Sequence, residues 1–535
     1  MFKKNNLKLK LKIKRRKLNP VTTYILLTFG VILLSGILSL FHFQTTYNIV
    51  DSTKMELIQI TSAVENVFSF DGLKYIVGNA TKNFISFAPL SMFLVASIGL
   101  AVAEASGFLD VLFKRIFAKL NNNSLTFLVI LISTISSLIN EVGFVILIPV
   151  AAFIYKAKKR NPMIGVCAAF AGCAFGYGTS IFIGSLETQL IPYTTTAARL
   201  VDSSYHVSLL SNLYIMIAST LILSIVGTVV IEKIIASRLG KYRVKKELTE
   251  NDELEIIGEE EKEQTILSND YNERKGFRYA SIVALIFVIF FIYSVIPDLP
   301  GSGLLLDYNE ETYLKQIFGD NSYFQDGFTY MISLLFLVSG LVYGFYSKRF
   351  KKDTDVINAC HEPLARVGSM LLLLFVASQF IGIFRKTNIG TVITGILANI
   401  LSGFSFGGII YLIIAIIIML ISDYFVTGVQ AKWVIFSPVV VPVLMQSNIT
   451  PQFAQFAMRA VDSMSNGITP LYAYFVIFIG YLSIYNVRED NPITISGAIK
   501  IMFPYFVIIS ITWLLILIGW YIIGLPIGPG VFPTL

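Results

Sequence analysis

The chain passes repeatedly through stretches of about 20 or more residues almost without charge, beginning with residues 21–41. A run of roughly 20 apolar residues is what an α-helix needs to cross a hydrocarbon core about 30 Å thick. Inside lipid every backbone N–H and C=O must be satisfied by the protein itself, so such runs commit the chain to membrane-spanning helices. Composition agrees, with 55% hydrophobic and 14% charged residues and a mean hydropathy of +0.70, where a soluble domain carries about 25% charged residues. The net charge of +8 sits in short loops and in the N-terminal MFKKNNLKLKLKIKRRKLNP, where basic residues report orientation and not nucleic-acid binding. Cys167, Cys173 and Cys360 are too few for a disulfide framework and lack metal-ligand spacing.

Charge parity threads the chain through the bilayer. Residues 21–41 are long for a signal-peptide core and lead into no clear cleavage site, so they read as an uncleaved first span with residues 1–20 as a basic cytoplasmic tail. Residues 44–83 form a polar outer segment, and a second span, about 84–105, returns to a loop carrying Lys114, Arg115 and Lys119. The next apolar stretch, about 124–154, is too long for one span and too short for two. Both its flanks are basic, the second being KAKKR at 156–160, and its middle, SSLINEVG at 136–143, is polar. It reads as a re-entrant hairpin whose tip lines a site, because non-helical backbone at membrane depth survives only against protein or a water-filled cavity.

A third span, about 163–200, is interrupted at GYGTS (176–180), and a fourth covers about 207–231. A charged cytoplasmic loop at 232–278 separates these from spans five (279–296) and six (327–346). Span seven, about 367–401, is broken around Arg385, Lys386 and Asn388, and a second over-long stretch, 408–444, has the polar centre SDYFVTGVQAKW. Span eight, about 453–484, is polar at 459–470, and span nine, about 502–523, leaves the C-terminus outside. The fold expected is an all-α polytopic membrane protein of nine transmembrane helices and two opposed re-entrant hairpins in an inverted-topology repeat. Residues 21–535 form its single membrane domain, with a first repeat at about 84–231 and a second at about 367–524. Carriers with this arrangement place substrate and coupling ion at the repeat interface.

Ionisable groups inside spans are costly and mark a pathway by default. Here they fall on the interruptions: Asn140 and Glu141 in the first hairpin, Glu187 in span three, Asp423 and Lys432 in the second hairpin, Arg459 and Asp462 in span eight. The Arg459 guanidinium suits a substrate carboxylate, which its planar fork binds bidentately. Trp433 suits stacking on an aromatic ring or sits as an interfacial aromatic. Asp423 and Asp462 suit Na⁺ or H⁺, or else neutralise Lys432 and Arg459; Arg459 and Asp462, at i and i+3, also suit a plain ion pair. Glu141 suits a cation or a half-helix cap. Glu104 and Arg385 lie close enough to span ends to snorkel. The spans hold no paired-His metal motif and no nucleophile with a base, so a membrane-embedded hydrolase has no support and no enzyme activity is expected.

FAPLSMFLVASIGLAVAEASGFLD at 87–110, QAKWVIFSPVVVPVL at 430–444, MRAVDSMSNGITPLYAYF at 458–475 and the tail IGLPIGPGVFPTL resemble the p-aminobenzoyl-glutamate transporter (AbgT) family. The resemblance runs from about span two to the C-terminus. It implies a homodimeric carrier in the plasma membrane, with no cofactor, driven by Na⁺ or H⁺ and moving p-aminobenzoyl-glutamate or a related folate breakdown product. Export of sulfonamide-like antimetabolites is the alternative on the same fold. It implies substrate or ion roles for Trp433, Pro438, Pro451, Arg459, Asp462 and Asn466. The chain departs from the family pattern at Asp423 (usually Asn), Glu187 (usually Asp), Asn140-Glu141 (usually Ser-Asp) and the run from Thr427 to Gln430 (usually Gly/Ser-rich). The expected substrate side is therefore Glu187, Gln430, Trp433, Pro438, Pro451 and Arg459. The expected cation side is Asn140, Glu141, Asp423, Asp462 and Asn466.

Overall fold

Several helix starts in this chain carry their own side-chain caps. Asn19 accepts a hydrogen bond from the Val21 N–H ahead of Pro20, and Asn161 does the same for Met163 ahead of Pro162; proline at the first helical position removes a donor that would otherwise be orphaned. A computed structural model describes residues 18–51, 54–240, 259–319, 321–404, 406–486 and 492–535, with side chains from residue 271 onward in the helix that begins at Glu259. Residues 1–17 of the basic tail lie outside the described residues.

In chain order α1 (Pro20–Leu40) leads to a hairpin of β1 (Gln44–Asp51) and β2 (Glu56–Ala63), then α2 (Phe70–Ile85), α3 (Ala88–Ala105) and α4 (Phe108–Phe117). The first helical hairpin is α5 (Asn122–Ile135), extended by a 3₁₀ turn, and α6 (Val142–Ala157). The broken pair α7 (Pro162–Phe175) and α8 (Ser185–Ala198) follows, then α9 (Leu213–Val230), a π turn (Ile231–Ile235) and α10 (Ala236–Leu239). Next come α11 (Glu259–Tyr293), α12 (Tyr313–Phe318), α13 (Tyr323–Tyr346), α14 (Asp353–Lys386) and α15 (Ile389–Ser402). The second hairpin is α16 (Gly408–Ser422) and α17 (Val429–Gln446), before the broken pair α18 (Pro451–Ser465) and α19 (Phe475–Ile484) and the final α20 (Ile495–Ile523).

Among the described residues nine helices are long and apolar enough to cross a membrane. Two of these, Asn122–Ile139 and Val429–Gln446, are hairpin arms; spans three and eight are missing because each is split into halves too short to cross alone. α7 and α8 have 14 residues each, about 21 Å at the α-helical rise. Every residue of α7 and of α18 is buried, whereas α11 and α20 turn apolar side chains outward to lipid. The broken spans are thus the centre, and α3, α11, α13 and α14 pack on one another beside them.

Three expectations need correction. The polar segment 44–83 contains an antiparallel β-hairpin pairing Gln44 with Ala63 through Asp51 with Glu56, and a helix that runs almost to α3. Thr46 and Thr61, directly opposite, bond hydroxyl to hydroxyl, as cross-strand Thr pairs do, and Tyr47 reaches diagonally to Ser62. The supposed loop at 232–278 is helical up to Leu239 and again from Glu259, residues 241–258 being outside the described residues. Span seven begins at Asp353, because α14 starts with polar turns in which Asp355 accepts from the Lys351 and Lys352 N–H groups.

The C-terminal tail closes two exposed helix starts. The Ile527 carbonyl accepts from the N–H groups of Tyr214 and Ile215 at the start of α9, and the Pro533 carbonyl accepts from Thr450 just ahead of α18. First-turn N–H groups have no partner within their own helix, so these carbonyls take the place of side-chain caps.

Candidate functional site

Splitting a buried helix leaves backbone groups that lipid cannot satisfy, and the interruptions here satisfy one another. Between α7 and α8 the Gly178 N–H donates to Ser463 Oγ of α18 at 2.6 Å, and the Gly184 N–H donates to Glu187 Oε2 at 2.7 Å. Thr179 gives its hydroxyl to the Met216 carbonyl of α9 and its carbonyl to Ser137 of the first hairpin tip. Gly178 is required by contact, because a Cβ there would lie 2.4 Å from the Arg459 carbonyl oxygen. The two broken spans therefore cross in close contact at Gly178.

The hairpin tips seat on this crossing. The first turns at Asn140, whose φ of 47° and ψ of −131° lie in a part of backbone space that L residues rarely adopt. Asn140 Oδ1 accepts from the Ser185 hydroxyl at 2.6 Å, and Glu141 Oε1 accepts from the Tyr177 hydroxyl at 3.1 Å. Glu141 stands at the start of α6 and makes no side-chain cap there, so its half-helix capping role is not seen. Phe144, Tyr472 and Tyr474 pack as an aromatic group behind it.

The second tip supplies Asp423, Gln430, Lys432 and Trp433. Lys432 Nζ donates to both Asp423 Oδ1 and Asp462 Oδ1. Ser465 Oγ donates to Asp423 Oδ2 at 2.8 Å, and Asn466 Nδ2 donates to Asp462 Oδ2 at 2.8 Å. All five residues are buried. A charge out of water is tolerated only when paired and hydrogen-bonded, and this cluster meets that condition from α17, α18 and the end of α16.

Arg459 does not pair with Asp462. Its Nη1 donates to Glu187 Oε1 of α8 and contacts Met216 Sδ at 3.7 Å. The Arg459 Nε donor is buried and has no hydrogen-bond partner. Trp433 Nε1 donates to Thr194 Oγ1 at 2.8 Å, and Gln430 Nε2 donates to Tyr193 OH at 3.2 Å, so the second tip also faces α8. Asp423, Lys432, Asp462 and Asn466 thus form one group, and Arg459 with Glu187 another, one turn back on α18. Pro438 is half-buried in the middle of α17. Pro451 is the first residue of α18, eight residues and about 12 Å along the axis from Arg459, where it starts the helix and touches neither group.

Sequence reading missed Ser465, Ser185, Tyr177, Tyr193 and Thr194. Ser465 had a signal, lying three residues after Asp462 on the same helical face, and Tyr177 stands inside the GYGTS interruption; Ser185, Tyr193 and Thr194 are neutral polar residues of α8. A cavity of about 260 Å³ beside the second tip is lined by Arg385, Asn388, Phe425, Val426 and Thr427. Arg385, at the break between α14 and α15, therefore faces the second tip. Glu104 pairs with Arg366 of α14. Among the described residues no group of three or more His, Cys, Asp or Glu side chains is clustered to hold a metal.

Comparison with known proteins gives one consistent result. The model of the AbgT putative transporter family matches residues 13–535. The chain is 29% identical over 517 residues to the p-aminobenzoyl-glutamate transport protein of Escherichia coli (strain K12), an alignment covering 97% of this chain and 94% of that protein. Two solved structures are also similar. One is the Alcanivorax borkumensis YdaH transporter, at 26% identity and a TM-score of 0.47, with 96% of this chain and 100% of that one covered. The other is Neisseria gonorrhoeae MtrF, described among antimetabolite efflux pumps, at 28% identity and a TM-score of 0.46, with 97% and 98% covered.

Proposed function

The chain belongs to the AbgT family of membrane transporters, and from that premise we propose that it carries a small organic anion, p-aminobenzoyl-glutamate or a related folate breakdown product. It is a transporter and not an enzyme. In this reading it works as a cation-coupled secondary carrier by alternating access, the repeats at about 84–231 and 367–524 rocking about the crossing of the broken spans. It acts as a homodimer in the plasma membrane, with its N-terminus in the cytoplasm and its C-terminus outside.

One observation carries the substrate side: the buried, unpartnered Nε of Arg459. A buried donor without a partner costs roughly 1–3 kcal/mol, more on a charged group, and a ligand carboxylate accepting from Nε removes that cost. Glu187 holds the opposite side of the fork, so the guanidinium is oriented before the ligand arrives. Trp433 and Gln430, anchored on α8, flank the aromatic part of the ligand. The N-terminus of α17 adds the positive end of its dipole, which favours an anion.

Equilibrium binding to the purified protein tests this reading. Labelled p-aminobenzoyl-glutamate is expected to bind saturably and to be displaced by unlabelled ligand but not by p-aminobenzoic acid, which lacks the glutamate carboxylates. Equal displacement by the two compounds refutes the assignment of Arg459 to a glutamate carboxylate.

A further inference from the structure

Asp423 and Asp462 are the two carboxylates best suited to a coupling cation, and the space between them is filled by a residue of the chain. Lys432 Nζ donates to one oxygen of each, Ser465 and Asn466 donate to the remaining two, and every member is buried. We propose that the Lys432 ammonium is the resident cation of this carrier, standing where Na⁺ would otherwise bind, so that ligand binding is independent of Na⁺. The inference rests on the carrier reading above and removes Na⁺ from this site as its coupling ion.

The position of Lys432 is hard to explain as packing. It is the fourth residue of α17, where the positive end of the helix dipole disfavours a cation. Buried ion pairs are commonly replaceable by apolar residues of similar volume without loss of stability, so stability alone does not call for an ammonium here. The oxygen set itself suits a hard cation, with two carboxylates and a hydroxyl. A sodium ion has to shed water and lose free motion to bind there; an ammonium fixed to α17 has already done both. Placed at that point it also ties the second hairpin tip to α18.

Charge arithmetic then points to the proton. With all three groups ionised the cluster carries one net negative charge, and a single proton on Asp423 or Asp462 neutralises it. Among the described residues, Glu141, Tyr177 and Tyr472 also act on Asp462, and Tyr424 on Asp423. The Arg459–Glu187 pair lies one turn back on α18.

The test compares wild type with Lys432→Ala, each purified in detergent, in NaCl and in KCl at equal ionic strength. Melting temperature without ligand and the Kd of labelled p-aminobenzoyl-glutamate are both read. Wild type is expected to give the same melting temperature and a Kd within about twofold in the two salts. Lys432→Ala leaves two buried carboxylates without a countercharge and is expected to recruit Na⁺. Its melting temperature rises in NaCl by about 2 °C or more, and its Kd tightens about fivefold or more relative to KCl.

Two results overturn the proposal: a wild-type melting temperature or Kd that responds to Na⁺ by those amounts, or a folded Lys432→Ala protein indifferent to Na⁺ in both readouts. Lys432→Asn carries the same comparison if the alanine variant does not fold. Should labelled ligand bind neither protein in either salt, the substrate reading fails, and the ligand-free melting temperatures still decide the proposal.

Discussion

Replacing Arg459 by lysine separates the two tasks the structure gives this residue. Its Nη1 neutralises the buried Glu187, and its Nε is a second, unpartnered donor. A lysine keeps a positive charge within reach of Glu187 but has no atom corresponding to Nε. Alanine would leave Glu187 buried and uncompensated, which costs about 3–5 kcal/mol and confounds folding with binding. The lysine variant is therefore expected to keep its melting temperature close to that of wild type. What it loses is one hydrogen bond from a charged donor to a ligand carboxylate, worth about 1.5–3 kcal/mol. At about 1.4 kcal/mol per tenfold, the Kd of p-aminobenzoyl-glutamate should rise roughly 10- to 150-fold. Isothermal titration calorimetry on the purified variant, with melting followed by intrinsic tryptophan fluorescence, reads both quantities. A Kd within about twofold of wild type in a folded protein would refute the role given to Nε.

Other perturbations probe the surroundings. Glu187→Gln keeps an oxygen to accept from Gly184 but removes the countercharge of Arg459, so the protein should melt earlier by the equivalent of about 3–5 kcal/mol; an unchanged melting temperature would mean the pair is solvated. Gly178→Ala drives a methyl group to 2.4 Å from the Arg459 carbonyl and should cost about 1–3 kcal/mol, with transport lost. Gly519→Ala, where a Cβ meets nothing within 4 Å, is the control and should leave melting and transport unchanged. Cysteine-accessibility labelling in intact cells should place the residues around Lys114 and those around Lys158 on the same side of the membrane. Labelling from opposite sides would contradict a re-entrant first hairpin.

The two hairpins and the two broken spans were legible because each leaves a physical trace in the sequence. An apolar stretch of about 31 residues fits neither one crossing nor two, and polar residues at its centre have to be sheltered by protein. Glycine and Asn mark the turns, as Gly176–Gly184 and Asn140 do. What stayed hidden lacked apolar signal. The first turns of α14, DTDVINACHEP, and the charged start of α11 are as polar as loops. The β-hairpin at 44–63 alternates too few apolar residues to stand out beside transmembrane runs.

Within the site, sequence picked out the charged residues and left their pairing open. Arg459 and Asp462 are helical neighbours by spacing, yet Arg459 meets Glu187, 272 residues away, and Asp462 meets Lys432. Spacing along a helix says which side chains share a face; only the fold says what stands opposite that face. Lys432 was recognised as an intramembrane charge, but its place between two carboxylates depends on three separate elements meeting. Pro451 stood out by family pattern, and its position at the first residue of α18 makes it a helix start.

Gradient-driven transport into proteoliposomes tests the central claim most directly. With purified protein reconstituted in sealed vesicles, labelled p-aminobenzoyl-glutamate should accumulate above its equilibrium level only while a cation gradient stands, and accumulation should collapse when an ionophore dissipates the gradient. Vesicles containing folded protein that show no more accumulation than empty ones, under every gradient of Na⁺ and H⁺ and in either direction, would contradict the assignment of this chain as a carrier of that anion.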